Sequence, residues 1–170
     1  MTNTYIDKLL IAGIIEESVV DGTGIRLAVF VQGCHNECPG CHNPQTWDMN
    51  KGKLIGIKDI EAMYKNNTLL DGITFSGGEP FLQPAPLIML AKKIHKLGGN
   101  VWCYTGYTYE NLINIPDNSI HDLLANIDVL VDGPFIESQK DLELKFRGSK
   151  NQRILRLKDG IIASQDQRGS

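Results

Sequence analysis

The sequence predicts an α/β fold in which parallel strands alternate with helical crossovers. Three observations predict it: apolar runs of strand length alternate with stretches of helical periodicity, one helix is framed by a proline and a glycine pair, and the loops richest in chemistry each follow a strand. Strands are expected at residues 26–31, 72–75, 100–104, 128–131 and 153–157, where β-branched, aromatic and leucine side chains concentrate. The clearest helix spans 85–97. It follows Pro84, places Leu87, Ile88, Leu90, Ala91 and Ile94 at helical spacing, and stops at Gly98 and Gly99. A second helix is expected within 57–64 and a shorter one near 119–126. In such sheets ligands sit at the carboxyl ends of the strands, which directs attention to the loops 32–47, 76–83 and 105–109.

Residues 1–170 read as one domain. The chain has 170 residues, 42% of them hydrophobic and 22% charged, which is enough for a core, and no repeat, low-complexity tract or linker divides it. A polar tail after about residue 160 is expected to be flexible. A net charge of -3 supplies no basic field to hold nucleic acid. No apolar run approaches the roughly 18 residues of a membrane span, and residues 1–8 are mixed in charge rather than signal-like. The expectation is therefore a cytoplasmic protein with neither nucleic acid nor membrane as a partner. Three of the four cysteines crowd into one loop, which in a reducing compartment points to metal or redox chemistry rather than structural disulfides.

That loop reads Gln32-Gly33-Cys34-His35-Asn36-Glu37-Cys38-Pro39-Gly40-Cys41-His42-Asn43. Three thiolates on one short loop can hold three corners of a four-iron cube. The fourth iron then stays open to a small molecule with amino and carboxylate groups, much as catalytic zinc keeps a free position. Cys38-Pro39-Gly40-Cys41-His42 also matches the C-x-x-C-H pattern of haem attachment, but this leaves Cys34 without a role and no export signal accompanies it. Zinc held by the cysteines with His35 or His42 is chemically sound, yet the second knuckle that such sites draw on is absent. A thiol switch at Cys38 and Cys41 would need a thioredoxin-like unit around it.

The second loop, Phe75-Ser76-Gly77-Gly78-Glu79-Pro80, follows an apolar strand. Paired glycines let a ligand approach the backbone without meeting a Cβ and leave N–H groups free for it, while Glu79 adds a carboxylate for a ligand ammonium. A glycine turn with Pro80 as its exit is the plain alternative for this segment alone. Beside the cysteine loop it reads as half of a site.

The spacing C-x3-C-x2-C at Cys34, Cys38 and Cys41, followed by Gly77-Gly78-Glu79-Pro80, resembles the radical S-adenosylmethionine superfamily. Further segments resemble the anaerobic ribonucleoside-triphosphate reductase activating proteins within it: Asp21-Gly22-Thr23-Gly24-Ile25-Arg26, Cys38-Pro39-Gly40-Cys41, Trp102-Cys103-Tyr104-Thr105-Gly106-Tyr107, Val129-Leu130-Val131-Asp132-Gly133 and Phe146-Arg147-Gly148-Ser149-Lys150-Asn151-Gln152. The likeness spans most of the chain. It implies a shortened, open (β/α) partial barrel. It implies that Cys34, Cys38 and Cys41 ligate a [4Fe-4S] cluster whose open iron chelates the amino and carboxylate groups of S-adenosyl-L-methionine. Gly77, Gly78 and Glu79 match the segment that supports that amino group, and Gly40, Cys41 and His42 the stretch that packs near the adenine. Tyr104, Thr105 and Gly106 can reach the ribose or the methionine. One departure is that superfamily members usually carry an aromatic residue before the third cysteine; here Gly40 stands there, with His42 as a substitute flat surface.

By the same resemblance, the reduced cluster cleaves S-adenosylmethionine to methionine and a 5′-deoxyadenosyl radical. That radical takes a hydrogen atom from a backbone glycine of the large subunit of anaerobic ribonucleoside-triphosphate reductase. A low-potential donor such as flavodoxin or ferredoxin is implied as the electron source. Cluster and radical carry the chemistry, so no side chain is named as acid, base or nucleophile.

Other residues carry plainer expectations. Cys103, inside an apolar strand, suits a buried thiol rather than a fourth ligand. His95, among three lysines, is expected in solvent, and His121 sits near a helix start without an evident partner. Asp132 can touch ligand or cap the following turn, and the basic stretch 147–153 can dock an acidic partner or form a solvated face. Three other functions stay open at this point: activation of a different glycyl-radical enzyme, radical chemistry on a small molecule, and a non-enzymatic zinc or redox-sensing module.

Overall fold

The computed structural model describes residues 6–166. Among them, eight strands form one sheet in the order β3-β1-β2-β4-β5-β6-β7-β8. The strands are β1 (Lys8–Ser18), β2 (Arg26–Val31), β3 (Lys53–Gly56), β4 (Gly72–Gly77), β5 (Asn100–Tyr104), β6 (Val129–Asp132), β7 (Arg153–Lys158) and β8 (Ile161–Asp166). The helices are α1 (Ile57–Lys65), α2 (Pro84–Lys96), α3 (Tyr109–Ile113) and α4 (Asn118–Ala125).

Only the centre of this sheet has the expected parallel arrangement. Strands β2, β4, β5 and β6 are parallel, whereas β1 and β3 on one side, and β7 and β8 on the other, run antiparallel to their neighbours. Parallel neighbours need crossovers of a dozen or more residues, which the helical segments between the central strands supply; β7 and β8 are joined by a hairpin, whereas β6 reaches its antiparallel neighbour β7 through the long segment 133–152. Asp159 and Gly160, both at positive φ (52° and 80°), make a two-residue turn whose twist matches the flanking strands. Residues 161–166 are therefore strand β8 rather than the expected flexible tail after about residue 160; residues 167–170 lie outside the described residues. Strand β1 escapes a simple alternation reading because its register shifts between Ile11 and Gly13, which breaks the period of two.

The two faces of the sheet have different fates. One packs against the helices: Leu27, Val29, Ile73, Phe75, Val101, Cys103 and Leu130 join Ile60 of α1, Leu87, Leu90 and Ile94 of α2, and Leu123 of α4 in one buried cluster. Each such leucine, isoleucine or phenylalanine contributes about 1.5–3 kcal/mol by leaving water. Helix α2 ends where expected, with Gly98 at φ +84° and Gly99 N donating to Ile94 O at 3.0 Å, the closing bond of a glycine cap. His95 is exposed, as expected, and its Nε2 lies 2.8 Å from Asp128 Oδ2, tying the end of α2 to the entry of β6. The opposite face carries a smaller cluster of Trp102, Val129, Val131 and Ile154, with Tyr104 and Phe146 packed against it. Arg26 is fully buried beneath it, 5.6 Å from the centre of the Trp102 ring. Its guanidinium donates to Thr74 Oγ1 (2.6 Å), Ile73 O (2.7 Å), Thr23 O (3.0 Å) and Asn100 O (3.2 Å). Burial lowers its pKa to about 10. The segment from Asp21 to Arg26 thus staples β2, β4 and β5 together.

Candidate functional site

The cysteine loop leaves the end of β2 and is closed at its base by the backbone. Gly33 N donates to Thr46 O (2.6 Å) and Cys34 N to Trp47 O (3.2 Å). The buried Gln32 side chain adds bonds from Nε2 to Gln45 O (3.1 Å) and Asp48 O (2.7 Å). Inside the loop, Cys41 N donates to Cys38 O at 3.0 Å across Pro39 and Gly40. Gly40 sits at φ +74°, a left-handed conformation that a bulky aromatic residue strongly disfavours. That accounts for the absence of the aromatic residue usual before the third cysteine. Cys34, Cys38 and Cys41 are free, half-buried thiols, and burial raises the pKa of Cys34.

Among the described residues, no three Cys, His, Asp or Glu side chains gather around one point as a single ion requires. A four-iron cube makes a different demand, one thiolate at each of several separate irons. Three unpaired thiols on one anchored loop fit three of its corners. Cys103 is not a fourth: it is fully buried in the helix-covered core on the other face of the sheet, where desolvation pushes its thiol well up.

The glycine loop is built against the cysteine loop rather than held open. Gly78 N donates to Val31 O (2.8 Å) and Glu79 N to Gly33 O (2.7 Å), so these N–H groups are already used. A Cβ on Gly78 would overlap the Gly33 carbonyl oxygen and lie 2.9 Å from its carbon and 3.0 Å from Val31 O. One on Gly77 would lie 2.7 Å from Phe30 Cα. On the side where a Cβ would stand, the neighbouring strand end approaches both glycines.

Glu79 is only 1% exposed and collects donors from three loops. Its Oε1 accepts from Thr105 Oγ1 (2.8 Å) and Phe81 N (3.1 Å). Its Oε2 accepts from Gly106 N (2.8 Å) and Asn36 Nδ2 (3.3 Å). Burial outweighs these bonds and pushes the carboxyl up to about 7. Asn36 lies between the first two cysteines, so this carboxylate clasps the cysteine loop to the ends of β4 and β5.

Beside the clasp, on the face carrying Trp102, a cavity of about 860 Å³ opens. Cys41, His42, Ser76 and Tyr104 line it, together with Asp21, Phe135, Phe146, Arg147 and Gln152 from elsewhere in the chain. The His42 ring is braced edge-to-face by Phe135 at 5.3 Å between centroids. Burial, with Asp21 nearby, raises the Tyr104 hydroxyl far above its ordinary value. The expected site residues therefore divide in two. Cys41, His42 and Tyr104 face the cavity, whereas Gly78, Glu79 and Thr105 form the clasp; Gly40 lies against Glu137.

The remaining candidates resolve individually. Asp132 is fully buried and accepts from Tyr109 N (2.7 Å), capping the turn into α3, and from Arg153 Nε (3.0 Å) and Nη2 (2.5 Å). Arg153 also reaches Glu110 at 2.7 Å, so it belongs to a structural ion network and not to a solvated face. His121 is exposed on α4. Pattern reading misses Asn36 and Phe135. Only the position of Asn36 inside the cysteine spacing could have singled it out.

Residues 20–155 match the family described as a 4Fe-4S single cluster domain, which defines the class of protein: one built around a single such cluster. Over 148 residues the chain is 38% identical to the anaerobic ribonucleoside-triphosphate reductase-activating protein of Salmonella typhimurium, covering 82% of this chain and 94% of that protein. It is 36% identical over 149 residues to the protein of the same name from Escherichia coli, with the same shares covered. A looser likeness, with a TM-score of 0.48 and 19% identity over 64% of this chain and 57% of the other, is to the crystal structure of QueE from Escherichia coli. The chain belongs to the anaerobic ribonucleoside-triphosphate reductase-activating protein family.

Proposed function

We propose that this protein is a radical S-adenosylmethionine activating enzyme that generates a glycyl radical on anaerobic ribonucleoside-triphosphate reductase. The observation that carries the reading is the anchored loop of three free cysteines, clasped through Asn36 and Glu79 to two strand ends and opening beside a cavity. The names of the relatives agree with it. In this reading Cys34, Cys38 and Cys41 hold a [4Fe-4S] cluster, and the open mixed sheet is the shortened partial barrel of that superfamily. When bound, the cluster supplies the electron that breaks a sulfonium C–S bond of S-adenosylmethionine and so furnishes the hydrogen-abstracting radical.

The chain's own residues position and shield. Glu79 acts through the loops it joins: with four donors already on its two oxygens, it fixes the cysteine loop instead of reaching into the cavity. His42, braced by Phe135, offers a flat surface to the adenine, and Tyr104 closes the floor beside Ser76. Trp102, Val131 and Phe146 keep that floor apolar, which protects a reactive radical from side reactions. Gly77, Gly78 and Thr105 serve the site by holding its backbone. A low-potential flavodoxin or ferredoxin would supply electrons, in the cytoplasm.

The test is anaerobic: reconstitute the chain with iron and sulfide, reduce it with dithionite, and assay 5′-deoxyadenosine with and without the reductase. The expected result is cleavage, with a glycyl radical in the electron paramagnetic resonance spectrum only when the reductase is present. Cys38→Ala should lose cluster and cleavage together, while Cys103→Ala keeps both. A radical on some other glycyl-radical enzyme but never on the reductase would reassign the partner. Zinc bound without cleavage would overturn the reading.

A further inference from the structure

Two cations on the cavity wall formed by residues 144–148 have no ion-pair partner among the described residues, while Asp21 lines the same cavity. Two cations of the basic stretch have carboxylate partners: Lys150 with Asp141 at 3.9 Å, and Arg153 with Asp132 and Glu110. Lys145 and Arg147 have none among the described residues, and these two line the cavity. Arg147 is held in place by one end only. Its Nη1 donates to Gln152 O at 2.7 Å, while its Nε is enclosed and has no acceptor. A buried N–H without a partner costs free energy, and the Nη2 end of this fixed guanidinium, which has no acceptor among the described residues, is the end left to bind a carboxylate. The turn is itself constrained: the preceding Phe146 sits at φ +64° and its ring packs edge-to-face on Trp102 at 5.4 Å. Across the cavity, the rim is apolar and open, with Ile15 48%, Val19 66% and Val20 70% exposed.

We propose that this wall is a docking subsite for the partner polypeptide, taking a segment that carries an acidic side chain beside apolar residues, with the carboxylate seated on Arg147 and steered by Lys145. This rests on the function proposed above and names the chemistry by which the site recognises its protein substrate. Charge complementarity selects the occupant: the two unpaired cations require an anion, and the exposed valines require apolar contact. The methionine carboxylate of S-adenosylmethionine is the competing anion. It is the weaker choice because Gly148, next to Arg147, lies against His42 on the side assigned to the adenine.

The experiment measures binding of the reductase large subunit to the cluster-loaded chain by calorimetry, at low and at high salt, together with the affinity for S-adenosylmethionine. Arg147→Met is expected to weaken reductase binding about thirtyfold and to flatten its salt dependence. Arg147→Lys should recover part of the loss, because it keeps the charge but not the planar guanidinium. Lys145→Met is a fold-neutral check on an exposed side chain, with an expected loss of about threefold. Unchanged reductase binding in Arg147→Met would overturn the proposal. So would a loss of S-adenosylmethionine affinity as large as the loss of reductase binding, which would assign the arginine to the small molecule. Failure of the unaltered chain to bind or activate the reductase is a separate result, and would overturn the proposed function itself.

Discussion

Gly78→Ala tests whether the glycine loop is built for backbone packing or for ligand approach. Gly78 does not have a positive φ, so alanine can adopt its conformation and the cost is steric. The new Cβ would overlap the Gly33 carbonyl oxygen and stand 2.9 Å from the Gly33 carbonyl carbon and 3.0 Å from Val31 O, all backbone atoms that cannot rotate away. Restoring ordinary contact needs a shift of about 1 Å between the end of β4 and the start of the cysteine loop, which strains an overpacked contact by roughly 1–3 kcal/mol. The same shift stretches the bonds from Gly78 N to Val31 O and from Glu79 N to Gly33 O, each worth about 1 kcal/mol. The expected loss is about 2–4 kcal/mol in urea unfolding of the cluster-free chain under argon. Iron per chain after reconstitution should also fall, because the displaced segment is the root of the cysteine loop. Gly13→Ala is the control. A Cβ there meets nothing within 4 Å, and the change should be neutral or stabilising by up to about 1 kcal/mol. If Gly78→Ala matches the parent in stability and iron content and loses only affinity for S-adenosylmethionine, the glycine serves the ligand and the packing account is wrong.

Two further perturbations follow from the buried charges. Arg153→Met leaves the fully buried Asp132 with only the Tyr109 N–H as a donor, and should cost about 2–4 kcal/mol in the same unfolding assay. Adding Asp132→Asn should recover part of it, whereas no recovery would show that lost packing and not the stranded charge dominates. For Glu79, burial raises the folded pKa to about 7 from an ordinary 4.5, so between those values the folded chain holds a proton that the unfolded chain has released. Its contribution to stability therefore declines as pH rises from about 4.5 to 7 and is level above. The unfolding free energy of the parent minus that of Glu79→Gln should fall by about 3 kcal/mol over that window, and a flat or rising difference would refute the burial argument.

Local patterns made the centre of the molecule legible. Strands β2, β4 and β5 are nearly continuous apolar runs because both of their faces are covered, and helix α2 announces itself by Pro84 and Gly98. The three cysteines stand out by their spacing, and the structure keeps them as free thiols on one loop. The antiparallel edges were harder, since β1 loses its period at a register shift and β3 is a four-residue edge strand with little burial. Strand β8 is a different kind of miss. Asp159-Gly160 is a strong hairpin signal in the sequence itself, but the largely exposed side chains beyond it resemble a tail.

The organisation of the clasp could not be read along the chain, because three of its four donors come from positions 26 to 43 residues away from Glu79. A carboxylate beside paired glycines looks like a ligand contact when only its neighbours in sequence are known. In the folded chain the same carboxylate is nearly inaccessible, and the two glycines are packed on backbone. Its consequence for function is mechanical: the loop that carries Cys34 and Cys38 cannot move independently of the ends of β4 and β5. The cavity wall opposite has a network of its own, centred on Gln152, whose Oε1 accepts from Gly148 N and Ser149 N and whose Nε2 donates to Gly133 O. Hydrogen bonds therefore fix both the loop of three cysteines and the far wall of the cavity, and on that wall the Arg147 guanidinium is left without a carboxylate partner among the described residues.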